Sequence, residues 1–434
     1  MKRCLVIGYA KSGKAAALLL NKKGYAVDLT DMKEIADKEE LEKIGIHVYD
    51  NGHPAALYTK EYEFVVKNPG IKYTAPLIDF FVKNQVKIYT EIEIASWYLK
   101  NSHYGAITGT NGKTTITTML YEILQVNHHA KAAGNIGTPL CEIALEDEAG
   151  QHDIALELSN FQLLGVESFK PDVAVVCNLA PDHLDYMNSV EEYYESKFRI
   201  AMNQTKNDWF LRNVDDELVM KYAKCIKAEL IDFSLVRQDV DLYLKDGIVY
   251  FRNEELFDVA SLNVVGRHNI ANAMVAACMA LKLGVSPKDI QKALAGFKGI
   301  EHRIEFVREL SKVRYYNDSK GTNTQATTIA LASFDKNIIL LAGGHDKGIS
   351  FEELKQYDSR VKCCISFGET REKIAEMFTH SICVETMFEA LEKAKEIAKE
   401  GDVVLLSPAC SSYDQFANYE QRGELFKEAV WKLN

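Results

Sequence analysis

The sequence lacks an excess of positive charge, a long hydrophobic run and a patterned set of cysteines. Its 51 Lys and Arg residues against 62 Asp and Glu residues give a formal net charge of -11. This argues against nucleic acid or a membrane surface as a partner. No apolar stretch approaches the length needed to span a bilayer, and the apolar run near the start ends at Gly8, too short for a signal peptide. The nine cysteines show no paired spacing, which predicts free thiols in a reducing cytoplasm.

The remaining composition is that of an ordinary folded protein. Apolar residues make up 47% of the 434 positions and charged residues 26%, which excludes disorder as a description. A chain of this length predicts two to four domains with a core in each.

The most informative stretch is the glycine-rich segment 108–115, Thr-Gly-Thr-Asn-Gly-Lys-Thr-Thr. It follows an apolar run at 104–107 that reads as a buried strand, and a helical pattern continues from Lys113 to about Leu124. The first turn of a helix has free N–H groups, and Gly109 and Gly112 let the backbone approach an anion. The segment therefore predicts a phosphate-binding loop.

Two side chains in this loop match the chemistry of nucleotide binding. Lys113 supplies a charge for the β- and γ-phosphates, and the Thr114 hydroxyl is placed to hold Mg²⁺. The usual spacing would place glycine at Ile107, so the loop is a variant. The alternative is a glycine turn that only caps a core helix.

The first 97 residues open with a dinucleotide-type βαβ pattern. A strand at 4–8, a glycine turn, a helix at 14–23 and a strand at 25–29 are followed by Asp31, where a ribose hydroxyl would sit. The middle glycine of the turn is replaced by Ala10, which disfavours NAD but leaves a nucleotide-like ligand open. A Rossmann-like layer without a ligand is equally open. The turn 67–70 follows another predicted strand at 63–66 and can add backbone contacts near Gly70.

Two strands downstream of the loop end in residues that suit a divalent cation. The predicted strand 153–158 contains Glu157 near its end, and the strand 171–178 leads to His183. Parallel strands gather ligands at their carboxyl ends, so both residues should share an edge with Thr114. A buried carboxylate is costly without a cation, and carboxylate with imidazole suits a metal. His183 alone would be read as a surface turn residue.

Three further positions have a polar residue in a helical pattern. Asn269 is predicted to be the N-cap of a helix that runs to about Leu283, and Asn272 follows one turn later on the same side. The two amides could contact a base edge, or be merely a cap and a buried polar residue. Lys197, in the helical stretch 190–202, reads by itself as a solvated lysine.

The last third predicts another α/β unit. Strands at 313–316, 337–341, 362–366 and 403–406 alternate with helical stretches, which implies parallel pairing. Basic residues recur at the strand ends, namely Arg303, Lys320 and Lys347, and predict an anionic ligand. The fold class is therefore α/β in three domains: a Rossmann-like domain at 1–97, a central P-loop-type ATPase domain at 98–298, and a Rossmann-like domain at 299–434.

Taken together, these segments resemble the Mur ligase family over the whole chain. The matching blocks are 108–115, 157–162, 178–185, 268–272 and 317–323. The C-terminal block 407–416, Ser-Pro-Ala-Cys-Ser-Ser-Tyr-Asp-Gln-Phe, is similar to that of the members that add D-glutamate. The Asp-Asn-Pro-Arg signature of the diaminopimelate-adding members is absent.

The resemblance implies an enzyme of cytoplasmic peptidoglycan precursor synthesis that forms an amide bond at the expense of ATP. The implied substrates are UDP-N-acetylmuramoyl-L-alanine and D-glutamate, and a monomer is expected. It also implies two Mg²⁺ sites and a carbamate on Lys197.

The resemblance assigns roles residue by residue. The implied catalytic residues are Lys113, Glu157, His183 and Lys197, and the implied metal ligands are Thr114, Glu157, His183 and Lys197. The ATP contacts would be Gly109, Thr110, Asn111, Gly112, Lys113, Thr114, Thr115, Asn269, Asn272, Arg303 and Asp318. The uridine diphosphate would contact Ser12, Asp31, Gly70 and Lys33, and further substrate contacts would be Asn135, Ser159, Gln162 and Lys320. The D-glutamate pocket would contain Thr322, Lys347, Ser412 and Tyr419, with Tyr419 standing where Phe is common.

Three alternatives remain open from the sequence. One is a sister Mur ligase, or a ligase like folylpolyglutamate synthase, with another amino acid. Another is a nucleotide-binding module without turnover. The third is an NAD oxidoreductase, disfavoured by Ala10 and by the second nucleotide loop.

Overall fold

A computed structural model describes residues 2–127, 129–181, 187 and 189–434. The chain forms two compact units: the first contains residues 1–260 and 271–294, and the second contains residues 261–270 and 295–434. Among the described residues, the strands form three sheets, two in the first unit and one in the second. The predicted α/β class with parallel-dominated sheets is confirmed.

The N-terminal sheet is a doubly wound parallel layer in the order β3-β2-β1-β4-β5. Its elements are β1 (Arg3–Ile7), α1 (Lys11–Lys22), β2 (Ala26–Thr30), α2 (Lys38–Lys43), β3 (His47–Tyr49), β4 (Phe64–Lys67), α3 (Pro76–Lys83), β5 (Lys87–Tyr89) and α4 (Glu91–Ser96).

The central sheet has the order β14-β13-β12-β11-β10-β9-β6-β8-β7, parallel from β7 to β12 and antiparallel beyond. Its elements are β6 (His103–Thr108), α5 (Lys113–Leu124), β7 (Ala130–Gly134), α6 (Leu140–Glu146), β8 (Asp153–Glu157), α7 (Asn160–Leu163), β9 (Val173–Val176), α8 (Val190–Phe198), β10 (Trp209–Asn213), α9 (Glu217–Tyr222), β11 (Glu229–Ser234), β12 (Leu242–Lys245), β13 (Ile248–Phe251), β14 (Glu254–Asp258), α10 (Arg267–Lys282) and α11 (Pro287–Gly296).

The C-terminal sheet has the order β15-β16-β20-β17-β18-β19, and only its edge strand β15 pairs in the antiparallel sense among the described residues. Its elements are β15 (Glu305–Leu310), β16 (Val313–Asn317), α12 (Thr324–Ala332), β17 (Ile338–Gly343), β18 (Val361–Phe367), α13 (Arg371–Ala375), β19 (Ser381–Cys383), α14 (Met387–Ile397), β20 (Val403–Leu406) and α15 (Tyr419–Lys432). The parallel pairing predicted for this segment is confirmed.

The strand interiors explain why the sheets are buried on both faces. β9 (VAVV) and β20 (VVLL) are buried at every position, as is expected for parallel strands covered by helices. In the first unit, one hydrophobic cluster includes Leu19 of α1, Ile94 of α4 and Ile143 of α6, so the core is continuous from the N-terminal sheet to the central one. Nowhere in the described ranges does a helix have the length and hydropathy that crossing a membrane requires.

Two buried carboxylates on α4 tie the N-terminal segment to the central one. Glu93 accepts hydrogen bonds from the backbone N–H groups of Glu167, Ser168 and Phe169 at 2.9–3.0 Å. Glu91 accepts one from the Cys141 N–H at 3.0 Å. These contacts join the first two predicted domains into one unit. The predicted boundaries after residues 97 and 298 remain predictions; they fall between α4 and β6 and between α11 and β15.

Glu91 should make the stability of the first unit depend on pH. Burial raises the pKa of Glu91 to about 7 from an ordinary value of 4.5. Because the folded pKa lies above the unfolded one, the protonated form favours folding. That contribution is complete below about pH 4.5 and is lost as the pH rises through about 7.

We therefore expect the unfolding free energy of the wild type, relative to Glu91→Gln, to fall by about 3 kcal/mol across this range. Urea unfolding followed at several pH values measures the difference. A difference that stays constant with pH would contradict the assignment.

Candidate active site

The loop after β6 has a backbone that only glycine permits at two positions. Gly109 has φ 147° and Gly112 has φ 84°. A Cβ on Gly109 would lie 3.0 Å from the Cys177 Cβ, and one on Gly112 would lie 2.8 Å from the Asn272 Oδ1. α5 begins directly afterwards at Lys113, so its free N–H groups face the loop. The predicted strand, turn and helix of the phosphate loop are all present.

The tip of this loop is clamped by the segment that follows β9. The Asn111 N–H donates to the Asn178 Oδ1 at 2.9 Å, and the Asn178 Nδ2 donates to the Asn111 carbonyl at 3.0 Å. The Thr110 hydroxyl donates to the Ala180 carbonyl at 3.1 Å and accepts from the Ala180 N–H at 3.0 Å. From the sequence Asn178 is only the end of a strand, since its partner lies 67 positions away.

Two lysines meet at one carbonyl of the loop. Lys113 Nζ and Lys197 Nζ each donate to the Gly109 carbonyl oxygen at 2.9 Å, and Lys113 also donates to the Thr110 carbonyl at 2.9 Å. Lys197 is only 2% exposed and its ammonium lies 4.4 Å from the Tyr193 ring centroid. The prediction that Lys197 is a solvated lysine is therefore wrong, because its position on α8 directs the side chain toward the phosphate loop.

Glu157 is the last residue of β8 and is paired in register with Ile107 of β6. Its side chain is buried, and its Oε1 accepts from the Asn135 Nδ2 at 2.9 Å. The Asn135 N–H also donates to the Glu157 carbonyl at 2.9 Å. Within the described ranges, the Glu157 Oε2 is buried without a hydrogen-bond partner. One oxygen is thus fixed and the other is available for a cation.

Of the other residues predicted near this edge, four are described by the structure and one is not. Thr114 and Thr115 lie in the first turn of α5. Ser159 and Gln162 form the capping box of α7: Ser159 Oγ accepts from the Gln162 N–H, and Gln162 Oε1 accepts from the Ser159 N–H. His183 lies outside the described residues.

The N-cap assignment of Asn269 is wrong. α10 begins two residues earlier at Arg267, after Gly266 with φ 92°. The Asn269 Nδ2 donates to the Val265 carbonyl at 2.7 Å, whereas an N-cap side chain would accept from the helix. Asn272 is 8% exposed and lies against Gly112 of the loop, where a Cβ on the glycine would come within 2.8 Å of the Asn272 Oδ1.

The predicted uridine diphosphate residues come together at the carboxyl edge of the N-terminal sheet. Ser12 lies in the first turn of α1, and its Oγ accepts from the Asn68 Nδ2 at 3.4 Å. The Asn68 Oδ1 accepts from the Gly70 N–H at 3.1 Å. Asp31 follows β2 and accepts from the N–H groups of Tyr9 at 2.6 Å and Lys33 at 2.9 Å.

In the second unit, Asp318 directly follows β16 and its Oδ2 accepts from the Ser407 hydroxyl at 2.7 Å. Burial raises the pKa of the Asp318 carboxyl to about 7, while Ser407 and Arg303 act in the opposite direction. The Ile304 N–H donates to the Asp318 Oδ1 at 3.2 Å, so the residue that follows Arg303 contacts Asp318.

Of the predicted D-glutamate residues, Thr322, Lys347 and Ser412 lie on loops of the second unit and Tyr419 begins α15. Lys347 Nζ donates to the Thr322 carbonyl at 3.2 Å, and Lys320 Nζ lies 5.7 Å from the Tyr419 ring centroid. Ser412 is buried in the loop between β20 and α15.

Sequence reasoning missed the residue that holds this last loop. Arg422 of α15 is fully buried and donates to the carbonyls of Ser319 and Cys410 at 2.8–3.2 Å. No local pattern predicts this, because an arginine beside polar residues in a helix reads as exposed.

The fold and the loop define a nucleotide-binding α/β protein, and comparisons with known proteins specify which kind. Residues 107–280 match the Mur ligase middle domain, and residues 302–410 match the Mur ligase glutamate ligase domain. The chain is 42% identical over 442 residues to the UDP-N-acetylmuramoylalanine–D-glutamate ligase of Bacillus cereus (strain G9842), covering 100% of this chain and 98% of that protein. It is 38% identical over 440 residues to the same-named ligase of Bacillus subtilis (strain 168), covering 99% and 97%.

Solved structures agree on the fold. A pseudomurein peptide ligase type C from Methanothermus fervidus superposes with a TM-score of 0.60 at 20% identity, over 100% of both chains. A UDP-N-acetylmuramate-alanine ligase from Thermotoga maritima superposes with a TM-score of 0.58 at 20% identity, also over 100% of both chains. The chain belongs to the Mur ligase family, as its full-length likeness to the D-glutamate ligases shows.

The Asn178 clamp should be needed for ATP, the nucleotide that this family uses. Asn178→Ala removes both hydrogen bonds to Asn111 and leaves the loop tip free to move. We expect the dissociation constant for ATP to rise about tenfold, the equivalent of two ordinary hydrogen bonds lost. Calorimetric titration measures it, with thermal unfolding as a check on folding.

Asn213→Ala is the matched control. Asn213 ends the neighbouring strand β10; within the described ranges its Nδ2 donates to the Cys177 carbonyl at 3.4 Å and its Oδ1 accepts from the Asp215 N–H at 3.1 Å. Neither bond reaches Asn111, so ATP binding should stay within twofold of the wild type. Equal effects of the two substitutions would show that the clamp has no special role.

Proposed function

We propose that the protein is an ATP-dependent ligase that adds D-glutamate to UDP-N-acetylmuramoyl-L-alanine in peptidoglycan precursor synthesis, with release of ADP and phosphate. The observation that carries this is full-length identity of 38–42% to ligases named for that reaction, with an intact phosphate loop in the middle segment. A cytoplasmic monomer is part of the proposal.

The proposed reaction needs ATP because a carboxylate does not react with an amine. The substrate's alanyl carboxylate first takes the γ-phosphoryl group and forms an acyl phosphate, releasing ADP. The amine of D-glutamate attacks the acyl carbon, the C–O bond to phosphate breaks, and the nitrogen loses a proton. The protein's contribution is positioning and neutralisation of charge.

Lys113 is proposed to contact the β- and γ-phosphates. Its ammonium already lies at the loop, where it donates to the carbonyls of Gly109 and Thr110. Phosphate oxygens are charged acceptors and bind an ammonium more strongly than neutral carbonyls do. Exchanging one acceptor for the other requires only rotation of the side chain.

Mg²⁺ is proposed to bind at Thr114, Glu157, His183 and a modified Lys197. The donor set fits, because the Glu157 Oε2 is buried, carries no hydrogen bond within the described ranges, and lies at the end of the strand beside the phosphate loop. A buried carboxylate oxygen is the kind of ligand Mg²⁺ prefers. When bound, the metal would neutralise charge on the phosphoryl group and the carboxylate.

Lys197 is proposed to carry a carbamate. Carbon dioxide adds to a neutral amine and a proton is released, so a cation becomes an anion. Burial and the neighbouring Lys113 ammonium at the Gly109 carbonyl both disfavour a second positive charge there, which favours the change.

The three segments are proposed to share the substrates. Residues 1–97 would bind the uridine diphosphate through Ser12, Asp31, Lys33 and Gly70. Residues 98–298 would bind ATP, and Asn135, Ser159 and Gln162 would line the acceptor site. Residues 299–434 would bind D-glutamate, with Thr322, Lys347, Ser412 and Tyr419 around its carboxylates and Lys320 as a further substrate contact.

An amino-acid panel tests the proposed reaction. Phosphate release is measured with ATP, Mg²⁺ and UDP-N-acetylmuramoyl-L-alanine against D-glutamate, L-glutamate, L-alanine, meso-diaminopimelate and L-lysine. We expect release with D-glutamate at least a hundredfold faster than with the others. L-alanine and L-lysine lack the second carboxylate, whereas the opposite configuration of L-glutamate and the longer chain of meso-diaminopimelate place theirs elsewhere, so charges of the site stay unpaired. Release dependent on another amino acid would assign the protein to a sister reaction.

Lys113→Met separates an enzyme from a binding module. Methionine keeps an unbranched side chain, one atom shorter, and removes the charge at the phosphate loop. We expect kcat to fall by about a hundredfold or more, as losses of this kind of contact usually do, with an unchanged unfolding temperature. Turnover within about tenfold of the wild type would mean that this loop is not the catalytic phosphate site.

A further inference from the structure

A second buried lysine shapes a loop at the edge of the N-terminal sheet. Lys67 is the last residue of β4, with 1% of its surface exposed. Its Nζ donates to three carbonyl oxygens of the turn that follows: Asn68 at 3.2 Å, Pro69 at 3.1 Å and Ile71 at 2.6 Å. The ammonium thus gathers the carbonyls of turn 68–71 around itself, much as a bound cation would.

The same turn contacts the other residues of this edge. The Asn68 N–H donates to the Ile7 carbonyl at the end of β1 at 2.9 Å, and its Nδ2 donates to Ser12 at 3.4 Å. A Cβ on Gly8 would lie 2.7 Å from the Asn68 Cβ, so the turn packs tightly on the first glycine of the sequence motif. Any movement of turn 68–71 therefore moves Gly70 relative to Ser12.

The position of the ammonium is fixed from the other side as well. It lies 4.8 Å from the Tyr73 ring centroid, where the aromatic face favours a cation. Burial lowers the pKa of Lys67 to about 8 from 10.5. A lysine is costly to bury, and a hydrophobic residue would fill the space at lower cost, so the charge needs a reason other than packing.

We propose that Lys67 is a positioning residue for the substrate nucleotide: its ammonium holds turn 68–71 in the form that contacts the uridine diphosphate beside Ser12. This rests on the proposed function, which places the uridine diphosphate at this edge. A turn ordered in advance does not lose conformational freedom on binding, so the nucleotide binds more tightly. The lysine does not touch the reacting atoms, and it acts only on this one substrate.

The test compares Lys67→Met with Lys60→Met. Methionine fills the space of either lysine without donating. Lys60 belongs to the same sheet region but bonds Asp28 Oδ2 at 2.8 Å and the Tyr49 hydroxyl at 2.6 Å, away from turn 68–71. UDP-N-acetylmuramoyl-L-alanine is titrated into each variant by calorimetry without ATP, ATP binding is titrated separately, and thermal unfolding is recorded.

We expect Lys67→Met to weaken binding of the uridine nucleotide about tenfold or more while ATP binding stays within twofold, and Lys60→Met to leave both unchanged. In turnover, Lys67→Met should raise KM for the uridine substrate and leave kcat and the KM values for ATP and D-glutamate near those of the wild type. A purely structural role would instead lower kcat, weaken the binding of all three substrates and lower the unfolding temperature.

Unchanged nucleotide binding in a folded Lys67→Met variant overturns the inference. Failure of the wild type itself to bind the uridine nucleotide overturns the proposed function instead, so the two failures are distinct. Where Lys67→Met does not fold, Lys67→Gln is used, because its uncharged amide is one atom shorter and has too few N–H groups for the three carbonyls: a selective loss of uridine nucleotide binding supports the inference, and wild-type binding overturns it.

Discussion

The Gly109 carbonyl oxygen holds two ammonium groups at once, and much of the central site follows from that contact. It brings Lys197 of α8 and Lys113 of α5 to the same loop, although they lie 84 positions apart in the sequence. Two ammonium groups at one oxygen repel each other, and a nearby anion or the loss of one charge relieves that repulsion. Glu157 ends the strand beside the loop and leaves one buried oxygen without a hydrogen bond within the described ranges. The arrangement is therefore suited to a phosphate and a cation together.

The N-terminal sheet uses the same device at a different loop. There a buried lysine at the end of β4 donates to the carbonyls of turn 68–71, as Lys113 and Lys197 do to those of the phosphate loop. In a trans peptide the N–H points away from the C=O. When the carbonyls face an ammonium, the N–H groups therefore face the opposite side of the loop, where a ligand can approach. In both loops, lysine thus organises the backbone as well as supplying charge.

Local patterns predicted the parts of this structure that local physics determines. Apolar runs predicted strands such as β1, β6, β9 and β20, and glycine turns predicted loops at their carboxyl ends, such as 109–112, where both glycines have positive φ. Positions set by tertiary packing could not be read this way. Lys197 looked solvated because its burial depends on how α8 packs, and Asn269 looked like a cap because Gly266, three residues earlier, was not recognised as the turn. Asn178 and Arg422 form hydrogen bonds to residues that are distant in the sequence. Lys67 and Arg422 are buried, whereas charged residues are usually exposed.

The charge distribution explains how an acidic chain can bind several anions. With a net charge of -11, the surface as a whole repels nucleotides, so binding depends on where the cations are concentrated. They recur at the carboxyl edges of the sheets: Lys33 and Lys67 in the N-terminal sheet, Lys113 and Lys197 in the central one, and Lys347 in the C-terminal one. At such edges the dipoles of the following helices add to the positive potential. Because the acidic surroundings disfavour anions elsewhere, the anionic ligands of the proposed reaction are expected at these edges.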